Sequence, residues 1–217
     1  MEENAEDVIA RRFAFHFALT ALLLLGGLSV AHAMPTAVQI GAAFRALDVS
    51  QNNAIDAQEW QRGSFVLFRA ADKNGNDFID ADELKSSALA QDTFLRIDTD
   101  HDGRLSIDEF MAFRRRLFDV ADIDHDDYLT FVEYELLMLF ETSGWVDANH
   151  SARIEASELA ASLTKAFAQL DVDGDARLSP SEAAYMQPKR FARFDRDQDG
   201  KLTLEETIAG YRAEFGA

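Results

Sequence analysis

The segment Asp98–Glu109 reads DTDHDGRLSIDE, and a second segment, Asp195–Glu206, reads DRDQDGKLTLEE. Both carry carboxylates at positions 1, 3, 5 and 12, and both have a glycine at position 6, which allows a sharp turn through positive φ. A serine or threonine at position 9 stands three residues before the final glutamate, which is the pattern of a helix N-cap. The two segments therefore predict an acidic loop that turns back on itself and then starts a helix.

The same twelve-residue pattern occurs seven times, at intervals of 24 to 26 residues. We call the segments loops 1 to 7; they begin at Asp48, Asp72, Asp98, Asp122, Asp147, Asp171 and Asp195. Phenylalanine stands four residues before every loop except the fifth, and position 8 is apolar in all seven. Because one helix-loop-helix unit cannot bury its apolar face alone, the sequence predicts an all-α array of such repeats.

The composition argues against several classes of function. The chain has 39 acidic and 21 basic residues and a net charge of -18, so a nucleic acid is not expected as a partner. It has no cysteine, which excludes disulfides and thiolate metal sites.

The chain contains no nucleophile elbow and no phosphate-binding glycine loop, and we predict that it is not an enzyme. We interpret His101, His125 and His150, all at position 4 of a loop, as surface residues.

Alternating oxygen ligands on a tight loop suit calcium, which takes six to eight hard oxygens. The seven segments resemble the calcium loop of the EF-hand family, in which positions 1, 3, 5 and 12 supply side-chain oxygens and position 7 a backbone carbonyl. In the loops with four carboxylates, the resemblance implies the ligands Asp98, Asp100, Asp102, Arg104 and Glu109; Asp122, Asp124, Asp126, Tyr128 and Glu133; Asp171, Asp173, Asp175, Arg177 and Glu182; and Asp195, Asp197, Asp199, Lys201 and Glu206. In the loops with two, it implies Asp48, Ser50, Asn52, Ala54 and Glu59; Asp72, Asn74, Asn76, Phe78 and Glu83; and Asp147, Asn149, Ser151, Arg153 and Glu158.

The loops are not expected to bind equally. Loops 3 and 7 combine four carboxylates with glycine at position 6, loops 4 and 6 have the carboxylates without the glycine, and loops 1 and 2 are predicted to be weak sites. Loop 5 is either a weak site or a structural relic. Ala152 and Ala176 at position 6 are expected to be strained, because positive φ is unfavourable for residues with a Cβ atom. Glutamate at position 12 of every loop favours Ca²⁺ over Mg²⁺.

Only 12 to 14 residues separate successive loops. Either one helix of about 18 Å serves both neighbours, so that position-8 pairing joins non-adjacent loops, or the connecting helix breaks. Ser143-Gly144 and Pro188 favour a break in two connections, and Pro180 suits the first position of the helix after loop 6. The close spacing is similar to that of lanmodulin, an EF-hand protein that prefers lanthanides, but no loop here has proline at position 2.

Residues 1–33 have the pattern of an export signal. Arg11-Arg12 precedes the apolar run Phe13–Val30, and Ala31-His32-Ala33 suits cleavage by signal peptidase. We expect cleavage after Ala33, the alternative being an uncleaved membrane anchor. The remaining chain is predicted to form a domain with loops 1 to 4 over residues 34–143 and a domain with loops 5 to 7 over residues 144–217.

The expected function is that of an exported calcium buffer or store in a bacterial periplasm or outside the cell, without membrane contact after cleavage. The first alternative is a calcium sensor that exposes an apolar groove to a protein partner. The second is a lanmodulin-like lanthanide binder. An odd number of loops leaves room for a homodimer. The basic run Arg114–Arg116 is expected to pair with the acidic loops, or else to dock an acidic partner.

Overall fold

The computed structural model describes residues 34–80, 82–83, 94, 97–149, 151 and 153–215. The predicted export signal, His150 and Ala152 lie outside the described residues. Within them, the helices are Ala37–Leu47 (α1), Ala57–Ala71 (α2), Ile107–Ala121 (α3), Phe131–Ser143 (α4), Ala156–Leu170 (α5), Pro188–Phe194 (α6) and Leu204–Glu214 (α7). The strands are Ala54–Asp56 (β1), Phe78–Ile79 (β2), Leu105–Ser106 (β3), Tyr128–Thr130 (β4), Arg177–Leu178 (β5) and Leu202–Thr203 (β6). The predicted all-α array of repeats is confirmed.

Three helices each serve two loops. The helices α2, α3 and α5 have 15 residues each, start at position 10 of one loop and end one residue before the next loop. At 1.5 Å per residue such a helix is about 22 Å long, slightly more than predicted. The shared connecting helix is therefore confirmed between loops 1 and 2, 3 and 4, and 5 and 6.

Two other connections break where the sequence predicts it. The helix α4 ends at Ser143, because Gly144 adopts φ +75°, and no helix leads into loop 5. The helix α6 begins at Pro188, whose fixed φ suits a first turn. The predicted helix beginning at Pro180 is wrong: residues 180–185 form turns, with one helix-like bond from the Ala183 N–H to the Ser179 carbonyl. Pro188 leaves too few residues after loop 6 for a stable helix to propagate.

Two strand pairs join adjacent loops. The strands β2 and β3 pair antiparallel between loops 2 and 3, and β5 and β6 pair antiparallel between loops 6 and 7. Between loops 6 and 7 this agrees with the predicted alternative of a broken connection, because the break before Pro188 lets the chain turn and bring the two loops side by side. Neither pair tests the expectation for a shared helix, since none joins loops 6 and 7 and most residues between loops 2 and 3 lie outside the described part of the chain.

All seven position-8 residues are buried core residues. Each is at most 1 % exposed; they are Ile55, Ile79, Leu105, Leu129, Ile154, Leu178 and Leu202. The six phenylalanines that precede loops are also buried, as expected for the apolar face of each repeat. Each loop is thus fixed to the protein interior by its own eighth residue. No helix among the described residues has the length and apolar character needed to cross a membrane.

The chain divides into two compact units, and each is described by itself. The first unit includes residues 42–118 and contains loops 1 to 3, whereas the second includes residues 34–41 and 119–215 and contains loops 4 to 7. This division falls after Phe118, so loop 4 belongs with loops 5 to 7, unlike in the predicted domains 34–143 and 144–217.

In the first unit, a buried arginine of α3 binds two residues of α2. The Arg114 guanidinium lies 4.0 Å from the centre of the Trp60 ring, and its Nε donates to the Ser64 hydroxyl at 3.0 Å. The Trp60 Nε1 in turn donates to the Arg114 carbonyl at 2.7 Å. Arg114 is therefore part of the interior, which is a correction to the expectation that Arg114–Arg116 pair with loops or a partner as one run. Arg115 and Arg116 are exposed.

A buried polar cluster lies in the second unit. One Glu135 oxygen accepts hydrogen bonds from Arg190 Nη1 at 2.5 Å and from the Tyr211 hydroxyl at 3.0 Å. Burial raises the pKa of Glu135 to about 6, although Arg190 and Tyr211 act in the opposite direction. The cluster connects α4, which follows loop 4, to α6 and α7, the two helices that flank loop 7.

Candidate metal centres

Six loops, all except the fifth, share a backbone path with two left-handed residues each. Position 6 has positive φ in six loops, at Asn53, Asp77, Gly103, Asp127, Ala176 and Gly200. This confirms the predicted turn, including the strained Ala176 with φ +64°. Position 4 also has positive φ, a feature that the sequence analysis missed, at Gln51, Gly75, His101, His125, Gly174 and Gln198. The glycines at position 4 of loops 2 and 6 could have indicated this positive φ, because glycine adopts it readily.

The position-12 glutamate closes each loop with both of its oxygens. In loop 3, Glu109 Oε1 accepts the Thr99 N–H at 2.8 Å, while Oε2 accepts the Ser106 N–H at 2.9 Å and the Ser106 hydroxyl at 2.8 Å. The Glu109 N–H donates back to the Ser106 hydroxyl at 3.2 Å, which completes the predicted capping box. Glu133, Glu182 and Glu206 make the equivalent bonds with Thr130, Ser179 and Thr203. The helix start and the ligand geometry therefore depend on the same side chain.

Four loops bring three carboxylates together. In each, one oxygen from every member lies within 4.8 Å of the others; the groups are Asp98, Asp100 and Glu109; Asp122, Asp124 and Glu133; Asp171, Asp173 and Glu182; and Asp195, Asp197 and Asp199. These are the four loops with four predicted carboxylate ligands. The fourth predicted carboxylate of each loop, which is Asp102, Asp126, Asp175 or Glu206, lies outside its group. Among the described residues, loops 1, 2 and 5 contain no such group.

Two buried oxygens indicate that a cation fits. Asp98 Oδ1 and Asp195 Oδ1, both at position 1, are buried without a hydrogen-bond partner, while the other oxygen of each accepts the N–H of the position-6 glycine. Burying an unpaired carboxylate oxygen is costly unless a cation or donor compensates it. Since other carboxylates lie within 4.8 Å in each loop, a hard cation is the group that this geometry fits.

Burial and hydrogen bonding compete in setting the pKa values of the ligands. Burial raises the pKa of Glu109, but hydrogen bonds from Ser106 and Thr99 outweigh it and hold the pKa at about 2. Hydrogen bonds from Ser179 lower the pKa of Glu182 to about 2. In loop 4, burial dominates and raises the pKa of both Glu133 and Asp122. Loops 3 and 6 therefore keep the position-12 carboxylate ionised, as a metal ligand must be, over a wide range of pH.

Loops 1 and 2 satisfy their first carboxylate from within the protein. In loop 2, Arg69 Nη1 lies 3.2 Å from Asp72 Oδ2 and 2.6 Å from Asp77 Oδ1. Both Asp72 oxygens also accept backbone N–H groups of the loop. In loop 1, the two Asp48 oxygens accept the Asn52 and Asn53 N–H groups at 3.0 Å each. In loop 2 a cation would have to compete with Arg69, which agrees with the lower rank of that loop. The N–H bonds of loop 1 recur at Asp122 of loop 4 and Asp171 of loop 6, so they do not explain its rank.

Polar side chains of loop 5 form hydrogen bonds with one another. Glu155, at position 9, accepts hydrogen bonds from Asn149 Nδ2 at 3.3 Å and from the Ser151 hydroxyl at 2.9 Å. Two of the implied ligands are therefore engaged with a carboxylate that the sequence analysis did not single out. Its signal was its place at position 9, where loops 1 and 2 have aspartate.

The histidines and position-7 residues lie where the pattern places them. His101 and His125 are exposed, as predicted. Position 7, whose carbonyl is an implied ligand, lies in or beside a strand in every loop except the fifth, at Ala54, Phe78, Arg104, Tyr128, Arg177 and Lys201.

Comparison with known proteins identifies a similar family. A family model described as EF hand matches residues 40–66, 65–87, 90–113 and 189–209. These segments include loops 1, 2, 3 and 7, while loops 4 to 6 are assigned from the sequence pattern and the geometry given above. A search of curated protein sequences finds no significant match.

Proposed function

We propose that this chain is an exported EF-hand protein that buffers or stores Ca²⁺, since a family model described as EF hand matches four of its segments. Calcium binding in general follows from the family. The buffering role is supported by the number of loops, by the concentration of 30 of the 39 acidic residues within them, and by the absence of any recognised catalytic motif in the sequence.

The observation that carries the proposal is the unpaired Asp98 Oδ1. Asp98 is only 3 % exposed, yet this oxygen has no hydrogen-bond partner and lies in a group with Asp100 and Glu109. When Ca²⁺ binds, it supplies the positive charge that the three carboxylates need. The protein contributes a preformed loop, in which Gly103 permits the turn and Ser106 holds Glu109 in place.

Calorimetric titration of chelator-treated protein with Ca²⁺ tests the proposal. We expect the tightest sites to be lost together in a variant that carries Glu109→Gln, Glu133→Gln, Glu182→Gln and Glu206→Gln. The matched control is Glu158→Gln in loop 5, which should leave the number of tight sites unchanged. Parallel titrations with Mg²⁺ and La³⁺ test the preference for calcium and the lanthanide alternative. Absence of Ca²⁺ binding at millimolar concentration would contradict the proposal.

A sensor role is the second candidate, and one surface feature favours it. An open groove of about 760 Å³ lies on α7 and is lined by the apolar residues Leu204, Ile208 and Ala209 and by Arg196 and Arg212. Sensor EF-hands bind partners through such apolar grooves. A calcium-dependent rise in the fluorescence of a hydrophobic dye would favour the sensor, whereas equal binding with and without Ca²⁺ would favour the buffer.

Export is part of the same proposal, and it rests on the sequence of residues 1–33. Mass spectrometry of protein recovered from outside the cytoplasm should give a chain that starts at Met34. Recovery of the intact N-terminus in the membrane fraction would instead indicate an anchor.

A further inference from the structure

The position-7 side chains of loops 6 and 7 cross between the two loops. The strands β5 and β6 pair with Arg177 opposite Thr203 and Leu178 opposite Leu202. In this register the basic residue at position 7 of each loop reaches position 5 of the other loop. Arg177 of loop 6 forms an ion pair with Asp199 of loop 7, and Lys201 of loop 7 forms one with Asp175 of loop 6.

Each of these aspartates has one oxygen for its own loop and one for the neighbouring loop. Asp175 Oδ1 accepts the Arg177 N–H at 2.9 Å, and Asp199 Oδ1 accepts the Lys201 N–H at 2.9 Å. The two Oδ2 atoms receive the cations from across the strand pair. The cations are therefore placed to neutralise the position-5 carboxylates without displacing the bond that shapes each loop.

The other adjacent pair, loops 2 and 3, lacks this exchange. Loop 2 has Asn76 at position 5 and Phe78 at position 7, so it offers neither the carboxylate nor the cation. Arg104, at position 7 of loop 3, instead lies over the Phe78 ring, 5.6 Å from its centre. The reciprocal ion pairs thus depend on the residues of loops 6 and 7 and do not follow from strand pairing alone.

We propose that Lys201 sets the calcium affinity of loop 6 and that Arg177 sets the calcium affinity of loop 7, each by pairing with the position-5 aspartate of the opposite loop. This inference rests on the proposed calcium-binding function. The affinity of such a loop depends on the charge of its ligand set, and a paired cation lowers that effective charge. All four side chains are about one-third to two-fifths exposed, so solvent screens the effect. We expect it to be a factor of about three to ten in affinity.

The test follows each loop separately during a calcium titration of the full chain. The position-6 amides are suitable reporters, because the Ala176 N–H donates to Asp171 and the Gly200 N–H donates to Asp195, the first ligands of loops 6 and 7. In Lys201→Gln, the midpoint of the Ala176 signal should move to about three- to tenfold lower Ca²⁺, with a smaller change at Gly200. In Arg177→Gln, the Gly200 signal should move and the Ala176 signal should change less.

Two controls separate the cross-loop effect from a general change in charge or in structure. Lys189→Gln removes one positive charge from an exposed site on α6 and should move neither midpoint. Lys201→Arg keeps the charge and should restore the midpoint of the parent protein. A larger change in the mutated residue's own loop, equal changes in both loops, or loss of binding in either variant would overturn the inference. If the parent protein showed no calcium-dependent shift at either amide, the proposed function of these loops would be overturned as well.

Discussion

The hydroxyl of Ser106 helps to lower the pKa of Glu109, the last implied ligand of loop 3. It donates to Glu109 at 2.8 Å, and the pKa of Glu109 is held at about 2. We expect Ser106→Ala to raise this pKa part of the way toward the ordinary value of 4.5, because the hydroxyl donor is lost while the Ser106 and Thr99 N–H donors remain. The variant should also destabilise the start of α3 by about 1 kcal/mol. Carbon-detected NMR titration of the metal-free protein measures the pKa, and Ser106→Thr, which keeps the hydroxyl, is the control. An unchanged pKa in Ser106→Ala would contradict the assignment.

Loop 4 differs from loop 3 in how protons compete with calcium. Burial raises the pKa of Glu133 and Asp122, whereas the pKa of Glu109 is lowered. A ligand with a raised pKa takes up a proton at a higher pH, and the protonated form does not bind a cation. As the pH falls from 7, the calcium affinity of loop 4 should therefore begin to decrease at a higher pH than that of loop 3.

The position-6 amides of these two loops provide the measurement. The Asp127 N–H donates to Asp122 at 3.2 Å, and the Gly103 N–H donates to Asp98 at 3.1 Å. Calcium titrations followed at both amides across a series of pH values give the two affinities. Earlier weakening at Gly103 than at Asp127 would show that burial does not govern the ligands of loop 4.

At the level of single residues, the sequence predicts the backbone turns that the ligand chemistry requires. It does not predict the contacts that arise from packing. Position 6 is predictable, because a sharp turn needs positive φ and Gly103 and Gly200 satisfy it. Position 4 is less evident, because His101 and Gln198 adopt positive φ without being glycine. The burial of Arg114 depends on the Trp60 ring, which is 54 residues away, and no local pattern indicates that contact.

At the level of elements, helix starts are predictable and helix ends are less so. The capping boxes at Thr130–Glu133 and Thr203–Glu206 form as their local pattern predicts. After loop 6 the same local pattern is present, but residues 180–185 form turns and no α-helix, because Pro188 leaves too short a segment. A helix is cooperative, so a correct first residue does not ensure its propagation.

The contact between α6 and α7 gives a prediction about an element. Gly210 faces the ring of Phe194, and a Cβ atom added at residue 210 would lie 2.4 Å from that ring. We expect Gly210→Ala to destabilise the protein by about 1 to 3 kcal/mol through overpacking, although alanine is favoured over glycine in a helix by about 1 kcal/mol. Urea unfolding in saturating Ca²⁺ measures the change.

A second variant separates overlap from helix propensity. Phe194→Leu combined with Gly210→Ala should recover part of the lost stability, because the overlap is with the aromatic ring itself. If Gly210→Ala stabilised the protein, the close packing of α7 on Phe194 would be disproved.

At the scale of the whole molecule, we expect the charge to make the folded state depend on metal. The net charge is -18, and most of the acidic side chains are crowded into seven loops. Removing Ca²⁺ leaves carboxylates within 4.8 Å of one another without a cation, so repulsion should loosen the helices that start at those loops. Far-UV circular dichroism should show helix loss with a chelator and recovery with calcium. Magnesium should restore less signal at the same concentration. Identical spectra in all three conditions would contradict this.

The order of the loops along the chain is predictable, whereas their pairing is predictable only where the sequence indicates that the connecting helix breaks. Repetition of the acidic pattern fixes where each loop begins, and an apolar residue at position 8 fixes its attachment to the core. Which loops pair depends on whether the intervening helix continues or breaks. Loops 6 and 7 pair because the chain turns before Pro188, and the grouping of loop 4 with loops 5 to 7 reflects contacts between residues distant in sequence.

The shared helices α2 and α5 also limit which changes in chain length the protein tolerates. Each starts within one loop and ends directly before the next, so an inserted or deleted residue would rotate the following loop by about 100° and shift it by about 1.5 Å. The buried position-8 side chain of that loop, Ile79 or Leu178, would then point away from the core that now covers it. Extra residues near Gly144 or Pro188 would lengthen a turn without imposing this rotation. Insertions and deletions among relatives of this chain should therefore occur near Gly144 and Pro188 and be absent from α2 and α5.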